Sequence, residues 1–159
     1  MPERYRIIPA TFILVHTEEG DEQQVLLQRR KDTGYSDGWY DAPRGHYEEE
    51  DELAPIAAVR ELQEETGLIA QPGDLELFHI VANEHETPGK PYWYLFLRVP
   101  LPRCIGRYAI QEPGKCDDMW FFPVNQLPEN VVPHVRQVIE TIGSAAVTFS
   151  KIEQLPQTG

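Results

Sequence analysis

Residues 58–68 read AVRELQEETGL, and no other stretch of the chain restricts its folding as much. The residues before Gly67 are good helix formers, and glycine is the residue type that ends helices in the left-handed conformation. At about 100° per residue, Glu61, Glu64 and Glu65 stand at i, i+3 and i+4 and share one helix face. Like charges at that spacing cost an isolated helix roughly a few tenths of a kcal/mol per pair. A chain that keeps them together has either a solvated acidic face or a use for three carboxylates. The helix is expected to start near Asp51 or Glu52, with Pro55 tolerated in a first turn where no intrahelical bond is lost. Leu53, Ile56 and Val59 fall in other sectors and are expected to anchor it to a sheet.

The rest of the chain supplies that sheet. Ile7–Val15 and Gln23–Arg30 are rich in branched apolar residues and are separated by the polar, glycine-containing TEEGDE, the pattern of a β-hairpin. Residues 31–45 have loop composition, with a short strand at Trp39–Ala42. LELFHIVANE and YWYLFLRVPL read as two further strands around the turn-rich HETPGKP, and MWFFPV as a fifth. VVPHVRQVIETIG spaces Val132, Val135, Val138 or Ile139 and Ile142 at helical intervals, with Gly143 as its stop. The closing SKIEQLPQTG is expected to be loose. The order β, β, loop, helix, β, β, loop, β, helix predicts an α/β (α+β) fold with a mixed sheet covered by helices. A length of 159 residues fits one domain, with its core over about 5–143.

Charge and composition exclude several function classes. The formal net charge is −12 and no basic stripe is present, which opposes binding to a nucleic-acid backbone. No run approaches the roughly 20 apolar residues of a membrane helix. PERYRII lacks the pattern of a secretory signal, and Cys104 and Cys116 are neither numerous nor paired as C-x-x-C, so a cytoplasmic protein with reduced thiols is expected.

The acidic run lies inside a longer pattern, GHYEEEDELAPIAAVRELQEETGL, whose second half resembles the Nudix box: Gly, five residues, Glu, seven residues, then Arg-Glu-apolar-x-Glu-Glu-x-Gly-apolar. Every specified position from Glu52 through Arg60, Glu61, Glu64, Glu65, Gly67 and Leu68 matches. Six residues rather than five separate Gly45 from Glu52. Either the loop carries one extra residue and Glu52 fills the acid position, the preferred reading, or Asp51 fills it. The glycine pair common at that loop in the family is replaced by Arg44-Gly45. VLLQRRKDTGYSDGWYDAPRGH and WFFPVNQLPE also resemble the segments that flank the box, so the likeness runs from about Tyr5 to Ile142.

The resemblance implies a Nudix-like α/β/α sandwich, and a hydrolase that uses Mg²⁺ or Mn²⁺ to cleave a pyrophosphate bond in a nucleoside diphosphate linked to another moiety. Glu61, Glu64 and Glu65 would bind the metal, with the Arg44 carbonyl completing coordination and Gly45 letting backbone pass close to metal and substrate. Arg60 would orient Glu64, four residues on. Glu52 would be a supporting acid. The general base would be Glu112, with Glu64, Asp117 and Asp118 as alternatives. Arg29 or Arg30 would meet outer phosphates. Tyr35, Trp39, Tyr40, Tyr92 and Trp93 could stack on a base, although aromatics in β-rich proteins usually fill cores. A (deoxy)nucleoside triphosphate is the first substrate expected, ahead of dinucleoside polyphosphates and ADP-ribose. A non-catalytic nucleotide-binding regulator is the rival class, and a homodimer is possible.

Overall fold

A computed structural model describes residues 1–18, 22–51, 53–87 and 89–152. The elements are β1 (Ile8–His16), β2 (Gln24–Arg30), β3 (Tyr40–Asp41), β4 (Arg44–His46), α1 (Ala54–Thr66), β5 (Glu76–Thr87), β6 (Lys90–Pro100), β7 (Cys116–Pro123), α2 (Pro133–Ile139) and β8 (Thr148–Lys151). The sheet runs β3-β2-β1-β6-β5-β8, with β4 also on β1 and β7 also on β2. β1 pairs with β6 and β5 with β8 in parallel, and the other pairings are antiparallel, which gives the mixed sheet that was expected.

Ala10–Val15 is buried without a break, because both faces of β1 are covered. Phe12 and Leu14 point into the core beneath α2, where Phe12 stacks on Phe96 with ring centroids 4.5 Å apart. Ile13 and Val15 point into the core beneath α1. Strand β2 alternates in the same way, with Val25 and Leu27 toward α2 and Leu26 toward α1.

Six expectations change: α1 begins at Ala54 rather than near Asp51 or Glu52, α2 ends at Ile139 rather than at Gly143, and four more concern pairing, packing and extent. β1 and β2 begin as a hairpin but share register only at His16↔Val25, and then separate as β1 takes β4 and β6 as partners and β2 takes β3 and β7. Turn composition marked the hairpin, and non-local pairing opened it. The missed strand β4 sets Gly45 opposite Thr11. Leu53 is exposed; α1 is anchored by Leu62 and by the smaller Ala57, Ala58 and Thr66, with Val59 packed partly buried against the same core as expected. The core also continues past Gly143: β8 includes Ser150 and Lys151, and Ile152 is buried, so part of the segment expected to be loose belongs to the sheet. Residues 153–159 lie outside the described residues.

His134 of α2 is buried against Tyr94 and Phe12, its Nε2 has no hydrogen-bond partner, and burial pushes its pKa down to about 4. The ring is therefore neutral in the native state, while the unfolded imidazole titrates near 6.5. As pH falls below that value the unfolded chain takes up a proton that the native state refuses until about pH 4. Stability present above pH 6.5 is lost across this window, about 3 kcal/mol from this group. Urea titrations at neutral and acid pH should show a smaller acid loss for His134→Leu than for the parent. Equal losses would remove His134 as the source.

Candidate functional site

Helix α1 starts after Leu53 with Pro55 in its first turn, and stops at Gly67, whose φ of 79° is left-handed and whose N–H reaches the Gln63 carbonyl. The loop before β7 closes over this end. Ala109 N–H donates to the Thr66 carbonyl (2.9 Å) and Gln111 N–H to that of Glu65 (3.4 Å). Carbonyls that a helix end leaves unsatisfied thereby fix the loop, and the next residue, Glu112, is delivered beside the acidic face.

The three helix carboxylates have different surroundings. Glu65 accepts from Gln28 Nε2 (2.6 Å) and from the Arg44 backbone N–H (3.0 Å). Burial pushes its pKa up to about 8 against the pull of those two bonds, with Glu61 and Glu112 adding to the rise. Glu61 lies flat on Gly45, where a Cβ would stand 1.9 Å from the Glu61 Cδ. Burial raises its pKa also, opposed by Arg60. Glu64 is the open one, its side chain 52% exposed.

Arg60 is the hub. It reaches Asp51 (2.7 Å) and Glu61 (2.8 Å) more closely than Glu64 (3.4 Å), and donates to the His46 carbonyl (2.9 Å). Its expected partner Glu64 is thus the looser one. Asp51 makes the supporting contact on Arg60 and is itself held by the Glu48 N–H (2.7 Å). Glu52, expected in that role, lies outside the described residues.

A cavity of about 420 Å³ opens beside Glu65, lined also by Gln28, Arg30, Arg44, Gly45 and Glu112. Arg29 and Arg30 have opposite fates because strand alternation separates them. Arg30 continues the Leu26–Gln28 face into the cavity, whereas Arg29 pairs with Asp117 (2.7 Å) beside the Tyr40 ring and does not line it. Asp117 and Asp118 are engaged by Arg29 and by the Tyr40 hydroxyl, so of the loop acids Glu112 is the one at the cavity. Tyr40 is core, Trp39 packs against it, Tyr92 meets His46, and Trp93 is exposed. Of the candidate stacking rings, Tyr35 is the one set against cavity arginines. Sequence reasoning missed Gln28 and Lys115, and held Asp51, which the structure sets on Arg60, as the alternative to Glu52. Alternation from Leu26 signals Gln28, but no local pattern marks Lys115, which lines the cavity from the loop before β7.

Among the described residues no three acidic, histidine or cysteine side chains are gathered tightly enough to hold an ion as they stand. Glu61 accepts from Arg60, and Glu65 from Gln28 and the Arg44 N–H. The donor set is nonetheless of the right chemistry for a hard divalent cation, all oxygen and on one helix face, and Gly45 keeps backbone clear of Glu61. The residues fit such a metal.

A NUDIX domain model matches residues 7–142. Comparison with curated proteins returns no match. Among solved structures the chain is similar to the MutT NUDIX hydrolase from Burkholderia pseudomallei, with a TM-score of 0.72 and 18% identity, covering 87% of this chain and 99% of that one. It is similar to the NUDIX domain of Shewanella oneidensis NrtR complexed with ADP ribose, with a TM-score of 0.67 and 20% identity, covering 87% of each chain. A UDP-X diphosphatase matches with a TM-score of 0.62 and 16% identity, over 93% of this chain and 69% of that one. At these identities the likeness is one of fold. The domain match spans β1 through α2, with the carboxylate helix and Arg60 inside it, and on that ground the chain belongs to the Nudix family and has its α/β/α sandwich fold.

Proposed function

We propose that the protein is a Mg²⁺- or Mn²⁺-dependent hydrolase that cleaves a pyrophosphate bond in a nucleoside diphosphate derivative, with (deoxy)nucleoside triphosphates as its first substrate class. The observation that carries this reading is the acidic face of α1 beside a cavity that also holds Arg30, Arg44 and Glu112. Glu61, Glu64 and Glu65 would hold the metal, with the Arg44 carbonyl as a further oxygen donor. When bound, such a metal supplies charge neutralisation at the phosphoryl oxygens and an acidified water. The chain's own groups do the rest. Arg60 holds Glu61 against Gly45, Gln28 and the Arg44 N–H hold Glu65, and Glu112 stands where it can take a proton from an attacking water. Arg30 supports the outer phosphates.

ADP-ribose is the second reading, favoured by the NrtR domain solved with that ligand. Dinucleoside polyphosphates complete the panel. A regulator that binds without turnover would not need all three helix acids, which this chain retains. A nucleotide panel with Mg²⁺, scored by product identification, tests the proposal. Release of monophosphate and pyrophosphate from a triphosphate supports it, and tight binding without release of any product refutes hydrolysis.

Gly45→Ala probes the metal side. The new methyl would overlap the Glu61 carboxylate, the far end of a flexible side chain, so the fold can yield where the ligand geometry cannot. The expected result is a melting temperature within a few degrees of the parent and Mn²⁺ affinity lower by about tenfold or more, a scale typical of disturbed metal surroundings. Unchanged Mn²⁺ binding would place the metal elsewhere.

A further inference from the structure

The Asp41 side chain is fully buried. Its Oδ1 accepts the Ala42 N–H (2.8 Å), and its Oδ2 has no hydrogen-bond partner, standing 3.6 Å from both Arg30 Nη1 and Arg44 Nε. Arg30 and Arg44 are themselves only 14% and 15% exposed, and both line the cavity. The Tyr35 ring lies 5.5 Å from the Arg30 guanidinium carbon and 5.0 Å from that of Arg44. Arg30 is pinned further, with Nε donating to the Tyr35 carbonyl (2.7 Å) and Nη2 to Thr33 Oγ1 (3.0 Å). The loop doing this is a fixed shape. Asp32 and Ser36 hold left-handed φ values of 51° and 49°, and the Asp37 carboxylate accepts the N–H groups of Thr33 and Gly34 (3.0 Å each).

This arrangement exceeds what a structural ion pair needs. Among the described residues, Arg30's only carboxylate within ion-pair distance is Asp41, through the same oxygen that faces Arg44. A nearly buried guanidinium with a shared counter-charge, opening on a cavity, gains from an incoming anion. The planar fork of arginine matches a phosphate in two-point contact. The location is adjacent to the metal side, because the backbone N–H of the same Arg44 is bonded to Glu65. The other charges at this cavity are Glu65, Glu112, Asp32 and Lys115.

We propose that Arg30 and Arg44, set in place by the buried carboxylate of Asp41, form a subsite for a phosphate group lying outside the diphosphate gripped through the helix carboxylates. The subsite selects substrates with three or more phosphates over diphosphates linked to a neutral sugar. Asp41 is a positioning residue here, and the inference rests on the hydrolase reading above for the identity of the neighbouring site.

Two measurements test it separately from that reading. In EDTA, calorimetric titration with inorganic tripolyphosphate should show binding to the parent, weakened about tenfold in Arg30→Gln and in Arg44→Gln, the size of one lost charge-assisted bond. With Mg²⁺, Asp41→Asn should raise KM for a nucleoside triphosphate about tenfold, leave its kcat within about twofold, and leave KM for a nucleoside diphosphate sugar unchanged. If Asp41→Asn does not fold, Arg44→Lys, which keeps the charge and loses the fork, is expected to give the same selective KM rise. No tripolyphosphate binding by the parent, unaltered binding in folded arginine variants, or equal losses on both substrates would each overturn the subsite. A parent that turns over no substrate would sink the hydrolase reading, while the EDTA titration would still decide this one.

Discussion

Glu64→Gln is expected to lower kcat by about 10²–10³-fold, the order of several kcal/mol of charge stabilisation at a metal-assisted phosphoryl centre. The protein should remain folded. The side chain is half exposed, and its ion pair to Arg60, at 3.4 Å, is of a kind that contributes under about 1 kcal/mol. This is why Glu64 is a cleaner probe than its two neighbours. Glu65 is bonded to Gln28 and to the Arg44 backbone, and Glu61 to Arg60, so changing either would disturb packing and chemistry together. Saturating Mg²⁺ kinetics paired with a melting curve gives the answer. A near-parental rate with an unchanged melting curve would reduce Glu64 to a solvated surface acid.

Glu112→Gln should cost about 10²-fold or more in kcat with little change in KM, as expected when a proton acceptor is removed but substrate contacts remain. The acid is tethered rather than free, since the Gln111 N–H on the Glu65 carbonyl fixes the residue before it, and Lys115 stands 3.7 Å away. The diagnostic readout is the pH–rate profile, which should lose its acidic limb in the variant. A profile of unaltered shape would return the base to Glu64, because Asp117 and Asp118 are already engaged by Arg29 and Tyr40.

Local chemistry made much of this molecule readable. The long strands, the stop of α1 at Gly67 and the shared face of Glu61, Glu64 and Glu65 all follow from periods of two and 3.6 residues and from glycine's access to positive φ. The β1–β2 hairpin was half readable, because turn composition reports where a chain reverses but not how far two strands stay together. β4 and β8 were not readable. β4 is three residues long and β8 four, too short to show a period, and both are strands only because β1 and β5 lend them partners.

The candidate site divides in the same way. The acids of the helix could be named from spacing, since residues three and four apart on a helix are neighbours whatever surrounds them. The partners of Arg60, the separation of Arg29 from Arg30, and the meeting of Asp41 with two arginines could not. Each depends on which face of a strand looks into the cavity, and on loops closed by bonds between residues distant in sequence. The sequence by itself determined the carboxylate helix and the family to which it belongs, because both are written in fixed local intervals. Only the tertiary structure decided which charges share a pocket, because that follows from strand pairing and burial, which no local interval encodes.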